Sequence, residues 1–223
     1  MSNENQPDLG EDYIRLHKVM TRGIEVSKHS IDKYMNEEAM DELNREGFTN
    51  YIQSFSAVLH GHHMVEDQKI FPYFKDQLPE VPYPRLTSEH EIFNQGLQEI
   101  NTATKELTAK NNELESLNLL KSGLNKVDKL WDAHIQIENT QLYGKIRSLD
   151  MDPEEMNKIG NESKEFFQAH SGPPYLVIPF VLYNLSLDDR KIISQSFPDE
   201  VINQLLFGDW KDKWTSMQPY LLK

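Results

Sequence analysis

Cysteine is absent from this sequence. Its absence excludes disulfides, thiolate metal sites and cysteine nucleophiles, so any bound metal must be held by imidazole and carboxylate groups. Basic charge is scarce, because 23 Lys and Arg stand against 36 Asp and Glu and give a net charge of −13. A protein of this sign is poorly suited to follow a phosphate backbone or an anionic lipid surface. We therefore expect neither nucleic acid nor membrane among its partners.

Long apolar runs are also missing. The longest, from Tyr175 to Leu185, is interrupted by Pro179 and Asn184 and is too short to cross about 30 Å of hydrocarbon. The segment Met1 to Asp12 is polar and acidic, without the basic and apolar regions of a secretory signal. The sequence thus predicts a cytoplasmic protein, and its 38% hydrophobic content is sufficient for a packed core.

Helical periodicity dominates the first two thirds of the chain. Apolar residues recur at three- and four-residue spacing in four segments: Asp12 to Met35, Phe48 to Leu78, Leu86 to Lys110 and Glu113 to Leu149. Helix-ending residues separate them, namely Asn44 to Gly47, then Pro79, Pro82 and Pro84, then Asn111 and Asn112. The run Thr87-Ser88-Glu89 is a candidate cap for the third helix. No segment sustains the alternation of a strand, so we predict an all-α protein built as an up-down-up-down four-helix bundle.

The pattern changes from Met151 onward. Six of the 11 prolines lie in this last third, among short apolar runs. We therefore expect a bundle over residues 11–150 and, over residues 151–223, a C-terminal extension of short helices packed on the bundle.

Two His–Glu pairs carry the chemistry of the bundle. His62 and Glu66 are four residues apart, as are His134 and Glu138, and on a helix this spacing puts both side chains on one face. Surface pairs of this kind are common. These two lie mid-helix among apolar residues, where a carboxylate needs a partner.

The other two helices each add one histidine on an apolar face, His17 in the first and His90 in the third. Each alone would fit a hydrogen-bonded core histidine. The spacings along the chain allow all six groups to lie at one level of the bundle. Such a set of nitrogen and oxygen ligands with two carboxylates suits two divalent first-row ions.

These residues resemble a known family. His17, the run His62-His63-Met64-Val65-Glu66-Asp67, the pair Glu89-His90, and His134 with Glu138 are similar to the bacterial hemerythrin-like (HHE cation-binding) domain. The resemblance implies a four-helix bundle with an oxo- or hydroxo-bridged diiron centre, in which Glu66 and Glu138 bridge the two Fe ions. It further implies that His17 and His62 hold one iron, and that His90 and His134 hold the other. Zn or Mn would accept much of the same ligand set.

The sequence departs from the oxygen carriers of this family. They have a second histidine one turn after the third-helix ligand, where this chain has Asn94, and their fourth-helix carboxylate is an aspartate five residues after the histidine. One coordination position is therefore left open to water, peroxide or a substrate. Either His63 or a residue of the extension, such as His170, is a candidate to complete it.

Two functions stay open on the sequence alone. The first is a diiron protein that binds or reduces a small oxidant, such as dioxygen, nitric oxide or peroxide, with an oxidoreductase or peroxide-degrading activity left undecided. The second is an iron- or oxygen-responsive regulatory module without turnover. A ferritin-like carboxylate site is disfavoured, because no histidine here has a glutamate three residues earlier. Both a monomer and a homodimer are compatible with the sequence.

Overall fold

The computed structural model describes residues 8–36 and 39–222, so most of the polar N-terminal segment lies outside the described residues. Within these ranges the regular structure is helical and contains no strand, which confirms the all-α prediction. Four long helices form the bundle: α1 (Leu9–Asn36), α2 (Glu42–Val65), α3 (Tyr83–Thr108) and α4 (Glu113–Ile137). Short π-helices extend α2 over Glu66–Ile70 and α4 over Glu138–Tyr143, and each ends in an α-helical turn, Phe71–Phe74 and Gly144–Ile146.

Neighbouring helices of the bundle run antiparallel. In α1 and α2, His17 contacts His62 near one end of the pair, while Tyr34 contacts Phe48 near the other. The same reversal of order relates α2 to α3, α3 to α4 and α4 to α1. Each long helix therefore presents one face to a common interior.

Two glycines let α3 and α4 approach closely. A Cβ atom on Gly96 would lie 2.8 Å from the carbonyl oxygen of Gly123, and one on Gly123 would lie 2.6 Å from that of Gly96. Both distances are too short for a side chain. This close approach of the two helices helps to hold His90 of α3 against His134 of α4, which lie further along the bundle towards the same end.

Two helix starts differ from the sequence prediction. α2 begins at Glu42, because the Asp41 side chain accepts a hydrogen bond from the Asn44 backbone N–H and caps the helix at 2.7 Å. Gly47 is thus helical rather than a terminator, and a Cβ there would meet the Ser216 carbonyl oxygen. α3 begins at Tyr83 and has Pro84 in its first turn. Backbone N–H groups of a first turn have no partner within the helix, so the missing N–H of proline costs no hydrogen bond there.

The expected cap Thr87-Ser88-Glu89 was therefore wrong, since these residues lie inside α3. The Thr87 hydroxyl instead donates to Asp67 at 3.0 Å, and Glu89 accepts from His134 at 2.9 Å. Glu89 thus supports a histidine of the bundle interior, whereas Thr87 binds Asp67 near the surface.

The C-terminal extension lies along the side of α1 and α2. It comprises α5 (Pro153–His170), α6 (Pro174–Tyr183), α7 (Leu187–Ser194), a π-helix Val201–Leu205, a turn Lys211–Trp214 and a 3-10 helix Thr215–Tyr220. The Phe180 ring packs on Tyr51 of α2 at 5.0 Å, and Asp189 pairs with Arg15 and Lys18 of α1. None of the helices described is long and apolar enough to cross a membrane.

Candidate metal centre

The six side chains singled out from the sequence meet inside the bundle. Each of them is at most 1% exposed: His17, His62, Glu66, His90, His134 and Glu138. Together with one further histidine, His63, they form two groups of four buried residues, and within each group the ligand atoms lie within 4.8 Å of one another.

The first group contains His17, His62, Glu66 and Glu138. The Nε2 atoms of His17 and His62 are 3.0 Å apart. Glu66 Oε1 lies 3.1 Å from the Nε2 atom of His62, and Glu138 Oε2 lies 3.2 Å from that of His17. The lone pairs of two imidazoles and two carboxylates therefore converge on one point.

The second group contains His63, Glu66, His90 and His134. The Nε2 atoms of His90 and His134 are 3.2 Å apart, and Glu66 Oε2 lies 3.4 Å from His90 Nε2. The His63 ring stacks on that of His90 with centroids 4.0 Å apart. Here three imidazoles and one carboxylate converge.

His63, and not a residue of the extension, joins the second group of candidate ligands. Neither ring nitrogen of His63 has a hydrogen-bond partner among the described residues, although the side chain is only 1% exposed. His170 is exposed, stacks on Phe166 and belongs to neither group. Asp67 lies against His90 rather than His63, with its Oδ1 atom 3.0 Å from His90 Nδ1.

Both buried carboxylates face both groups. Glu66 turns Oε1 to His62 and Oε2 to His90, at 3.1 and 3.4 Å. Glu138 turns Oε2 to His17 and Oε1 to His134, at 3.2 and 3.1 Å. Each carboxylate thus spans the gap between the groups, as a ligand shared by two ions does.

The spacing of the donor atoms fits metal ions. Two ligands at right angles, each about 2.1 Å from one ion, lie about 3.0 Å apart. The nitrogen–nitrogen distances of 3.0 and 3.2 Å within the two groups match this geometry. In addition, Glu66 Oε2 and both oxygens of Glu138 are buried without a hydrogen-bond partner among the described residues, which is costly unless a cation pairs with them. The donor set therefore fits two divalent first-row ions.

Both carboxylates occupy the first residue of a π-helix. Glu66 opens the π-helix that follows α2, and Glu138 opens the one that follows α4. A π-helical turn inserts one residue into the helical register and is frequent at functional sites. It turns the next residue, Asp67 or Asn139, towards the histidine of a neighbouring helix.

Outer hydrogen bonds fix the histidine rings. The Nδ1–H of His17 donates to Asn139 Oδ1 at 2.6 Å, and the Nδ1–H of His134 donates to Glu89 Oε2 at 2.9 Å. Arg85 in turn holds Glu89 through a 2.8 Å bond to Oε1. With the proton on Nδ1, the Nε2 lone pair of each ring is free for a metal.

Charge compensation inside the cluster is strong. Burial alone would raise the pKa of Glu138, but His134, His17 and His90 hold that pKa well below its ordinary value. Burial would lower the pKa of His90, but Asp67 and the two buried glutamates raise it to about 10. By contrast, burial and the neighbouring histidines lower the pKa of His63 well below its ordinary value, so His63 is a neutral imidazole. Protonated histidines such as His90 therefore balance the charge of the buried carboxylates. Bound metal ions can supply this positive charge in place of the protons on the histidines.

A comparison with protein-family models matches residues 11–166 to the hemerythrin HHE cation-binding domain. This match covers more than half of the chain. The protein belongs to the hemerythrin HHE family. Comparisons with curated proteins and with solved structures found no significant match.

In this HHE domain the family match continues past residue 150 into α5. The C-terminal half of α5 packs near the first π-helix, where Lys69 lies over the Phe166 ring at 5.3 Å. The beginning of the extension is therefore continuous with the domain that carries the cluster.

Sequence reasoning missed the contacts that several residues make around the HHE cluster, although Asp67 and Glu89 lie in the motif that resembles the family. Asn139, Glu89 and Asp67 orient the histidines, and the Tyr143 hydroxyl donates to Glu66 Oε1 at 2.5 Å. One signal was available: Asp67 and Asn139 each follow a cluster carboxylate directly. Their partners lie on other helices, which no local pattern reveals.

A small cavity lies between α1 and α4 and is lined in part by His17 of the HHE cluster. Its volume is about 300 Å³, and its walls include His17 and Asn139 together with Ile14, Lys18, Thr21 and Ile135. A space of this size next to His17 admits small molecules rather than large ones.

Proposed function

We propose that this protein is a non-haem diiron protein that binds or reduces a small oxidant such as dioxygen, peroxide or nitric oxide. The observation that carries the proposal is the position of Glu66 and Glu138, each of which turns its two oxygens to imidazoles of different groups. Two carboxylates shared in this way favour a pair of ions over a single one.

The assignment of ligands follows the two groups. His17 and His62 would hold one iron, and His63, His90 and His134 the other, with Glu66 and Glu138 shared. A non-haem diiron pair, once bound, supplies reversible one- and two-electron chemistry towards small oxidants. His17, which would hold the first iron, lines the small cavity between α1 and α4. We therefore place the site of oxidant binding on the His17 side of the cluster.

Other residues of this chain set the conditions at the cluster. Trp131 and Phe93 cover the histidines on one side and exclude water, with the Trp131 Nε1–H donating to Thr21 at 2.9 Å. The hydroxyl group of Tyr143 donates a hydrogen bond to Glu66 Oε1. Burial and the nearby glutamate raise the pKa of Tyr143 well above its ordinary value, so the proton stays on the phenol at neutral pH.

Metal content and absorption spectrum test the proposal. Protein produced with ample iron should contain two irons per chain and show the near-ultraviolet charge-transfer band of a bridged pair, which should change on addition of peroxide. One metal per chain, or zinc retained in place of iron, would contradict the diiron assignment. The rate of peroxide consumption is then measured directly. Consumption indicates turnover, whereas a spectral change without consumption indicates binding alone.

A regulatory module is the second candidate. The contact between α5 and the π-helix that begins at Glu66 favours it, because a change at Glu66 can reach the extension through that helix. Limited proteolysis of the metal-free and iron-loaded protein distinguishes the two. A sensor would alter cleavage within residues 151–222 on loading and would consume no peroxide.

A further inference from the structure

A second, larger cavity lies between α1 and the C-terminal extension. Its volume is about 850 Å³, within the usual range of pockets that bind small organic molecules. Its walls come from α1, α5, α6, α7 and the segment that follows, so it exists only because the extension folds back on the bundle.

The walls are chiefly apolar and include several rings, among them Tyr13, Phe167, Phe197 and Trp210. One buried polar group lies inside. The Ser163 hydroxyl is on a residue only 2% exposed and interacts with the hydroxyl of Tyr13, another residue of the wall, and two hydroxyls together keep hydrogen-bonding capacity for an occupant. An occupant with an aromatic body and one hydrogen-bonding group would satisfy both features.

The charged groups on these walls already have partners. Asp12 pairs with Arg15, Asp8 lies 3.8 Å from Arg147, and the Lys164 ammonium donates to a backbone carbonyl oxygen. A cationic ligand would therefore gain no free counter-charge, and an anionic ligand could meet only the exposed Lys164 while losing its hydration against chiefly apolar walls. This arrangement favours an uncharged occupant.

Tyr13 separates the large cavity from the metal cluster. Its ring lines the cavity, stacks on Tyr143 at 4.6 Å and lies 5.5 Å from the His62 ring. A molecule against Tyr13 would thus be one aromatic ring away from a candidate iron ligand.

We propose that this cavity binds a small, uncharged aromatic molecule and holds it against Tyr13, beside the metal cluster. The binding itself does not depend on the metal assignment, whereas the nearness to a metal ion rests on the proposed function. The two parts are therefore tested by separate measurements.

Gly160 offers a way to close the cavity without removing a contact. It lines the cavity in the middle of α5, and nothing lies within 4 Å of a Cβ atom built on it. Gly160→Phe should fill the space, whereas Gly160→Ala should leave most of it open. Glu162→Phe adds the same ring two residues away, on an exposed position that does not line the cavity.

The probe for binding is N-phenyl-1-naphthylamine, a neutral aromatic amine that fluoresces in apolar sites. We expect saturable binding of one probe per full-length chain, in metal-free and metal-loaded protein alike. Its sulfonated relative, 8-anilinonaphthalene-1-sulfonate, should bind at least about 10-fold more weakly because its sulfonate must leave water for a chiefly apolar cavity. Gly160→Phe should weaken binding of the neutral probe by at least about 10-fold, while Gly160→Ala and Glu162→Phe should not. Unchanged binding in Gly160→Phe, or no saturable binding to the parent, would overturn the site, provided the variants melt like the parent.

Nearness to the metal is read by nuclear magnetic resonance. Protein loaded with paramagnetic Mn(II) should speed the relaxation of the bound probe's protons, and protein loaded with Zn(II) should not. A bound probe that Mn(II) leaves unaffected would refute the placement against Tyr13. Failure of the protein to bind Mn(II) or iron at all would count against the proposed function and leave the fluorescence result on the cavity intact.

Discussion

The hydroxyl of Tyr143 donates a 2.5 Å hydrogen bond to Oε1 of Glu66, the same oxygen that lies 3.1 Å from His62 Nε2. Tyr143 closes the π-helix that Glu138 opens, so one carboxylate is supported from the helix that carries the other. Removing an outer hydrogen bond of this kind typically weakens a metal site without abolishing it.

Tyr143→Phe should therefore lower metal affinity by about 10- to 100-fold while the protein stays folded. Competition with a chelator of known affinity measures the change. The matched control is Tyr34→Phe, which removes a buried tyrosine hydrogen bond, to Tyr220, at the other end of the bundle. Equal losses of affinity in the two variants would show that Tyr143 acts through general stability.

Removal of a shared carboxylate should cost more metal than removal of a histidine from one group. Glu138→Ala should lose most of both ions, because its two oxygens face His17 and His134 respectively. His17→Ala should keep more metal. Elemental analysis after purification gives the ratio, with Glu91→Ala, an exposed glutamate beside His90, as the unaffected control. The same metal content in Glu138→Ala and His17→Ala would contradict the shared role.

His63 should be needed for the second ion. His63→Ala removes one of the three imidazoles of its group and should reduce the metal bound to about one ion per chain. His60→Ala changes an exposed histidine three residues earlier in α2 and should bind like the parent. If His63→Ala retained two tightly bound ions, His63 would be a packing residue rather than a metal ligand.

Access to the cluster should depend on Ile135, which lines the small cavity beside His17. Ile135→Trp should narrow that path and slow the reaction of the iron-loaded protein with azide or peroxide, with little change in metal content. Stopped-flow absorbance measures the rate. Gln136→Trp adds the same ring on the exposed neighbour and should react at the parent rate. A fast reaction in Ile135→Trp would mean that small molecules enter elsewhere.

Asp12 should give the stability of the protein a recognisable pH dependence. Burial raises the pKa of Asp12 from 3.8 to about 6 despite the opposing charge of Arg15. A folded-state pKa above the unfolded one gives stability that is complete below about pH 3.8 and is lost as the pH rises through about 6. At pH values above 6, Asp12→Asn should therefore raise the melting temperature, and it should increase the free energy of unfolding by at most about 3 kcal/mol. Near pH 4 the substitution should change both quantities little.

Asp189 provides the opposite case on the same surface. Burial would raise the pKa of Asp189, but Lys18, Ser186 and Arg15 lower it. Asp189→Asn should consequently destabilise the protein at neutral pH, with the difference vanishing as the pH falls through the lowered pKa. The same direction of change in both variants at pH 7.5 would refute the account of Asp12. Thermal unfolding followed by circular dichroism at several pH values measures both.

The helical class and the residues of the cluster were readable from the sequence because they depend on local spacing. Three- and four-residue periodicity identifies a helix that buries one face, and a carboxylate such as Glu66 on that face requires a partner wherever the helix packs. Capping was less readable: Asp41 and Pro84 start their helices, whereas the sequence pattern placed Asn44 to Gly47 and Pro82 to Pro84 between helices. Several residue types, proline among them, occur both just after the end of one helix and at the start of the next. The tertiary structure therefore decides at which residue the helix begins.

Only the tertiary structure determined which side chains contact one another in the cluster. The sequence offered both His63 and His170 as candidates for the open position. Only the packing of the helices separates them, because it places His63 in the cluster and leaves His170 exposed. The π-helices that turn Asp67 and Asn139 towards distant histidines, and the cavity formed where α5 folds back beside Tyr13, depend on contacts between residues far apart in the chain. Local spacing determines what a residue can do, and the packing of whole helices determines which residues meet.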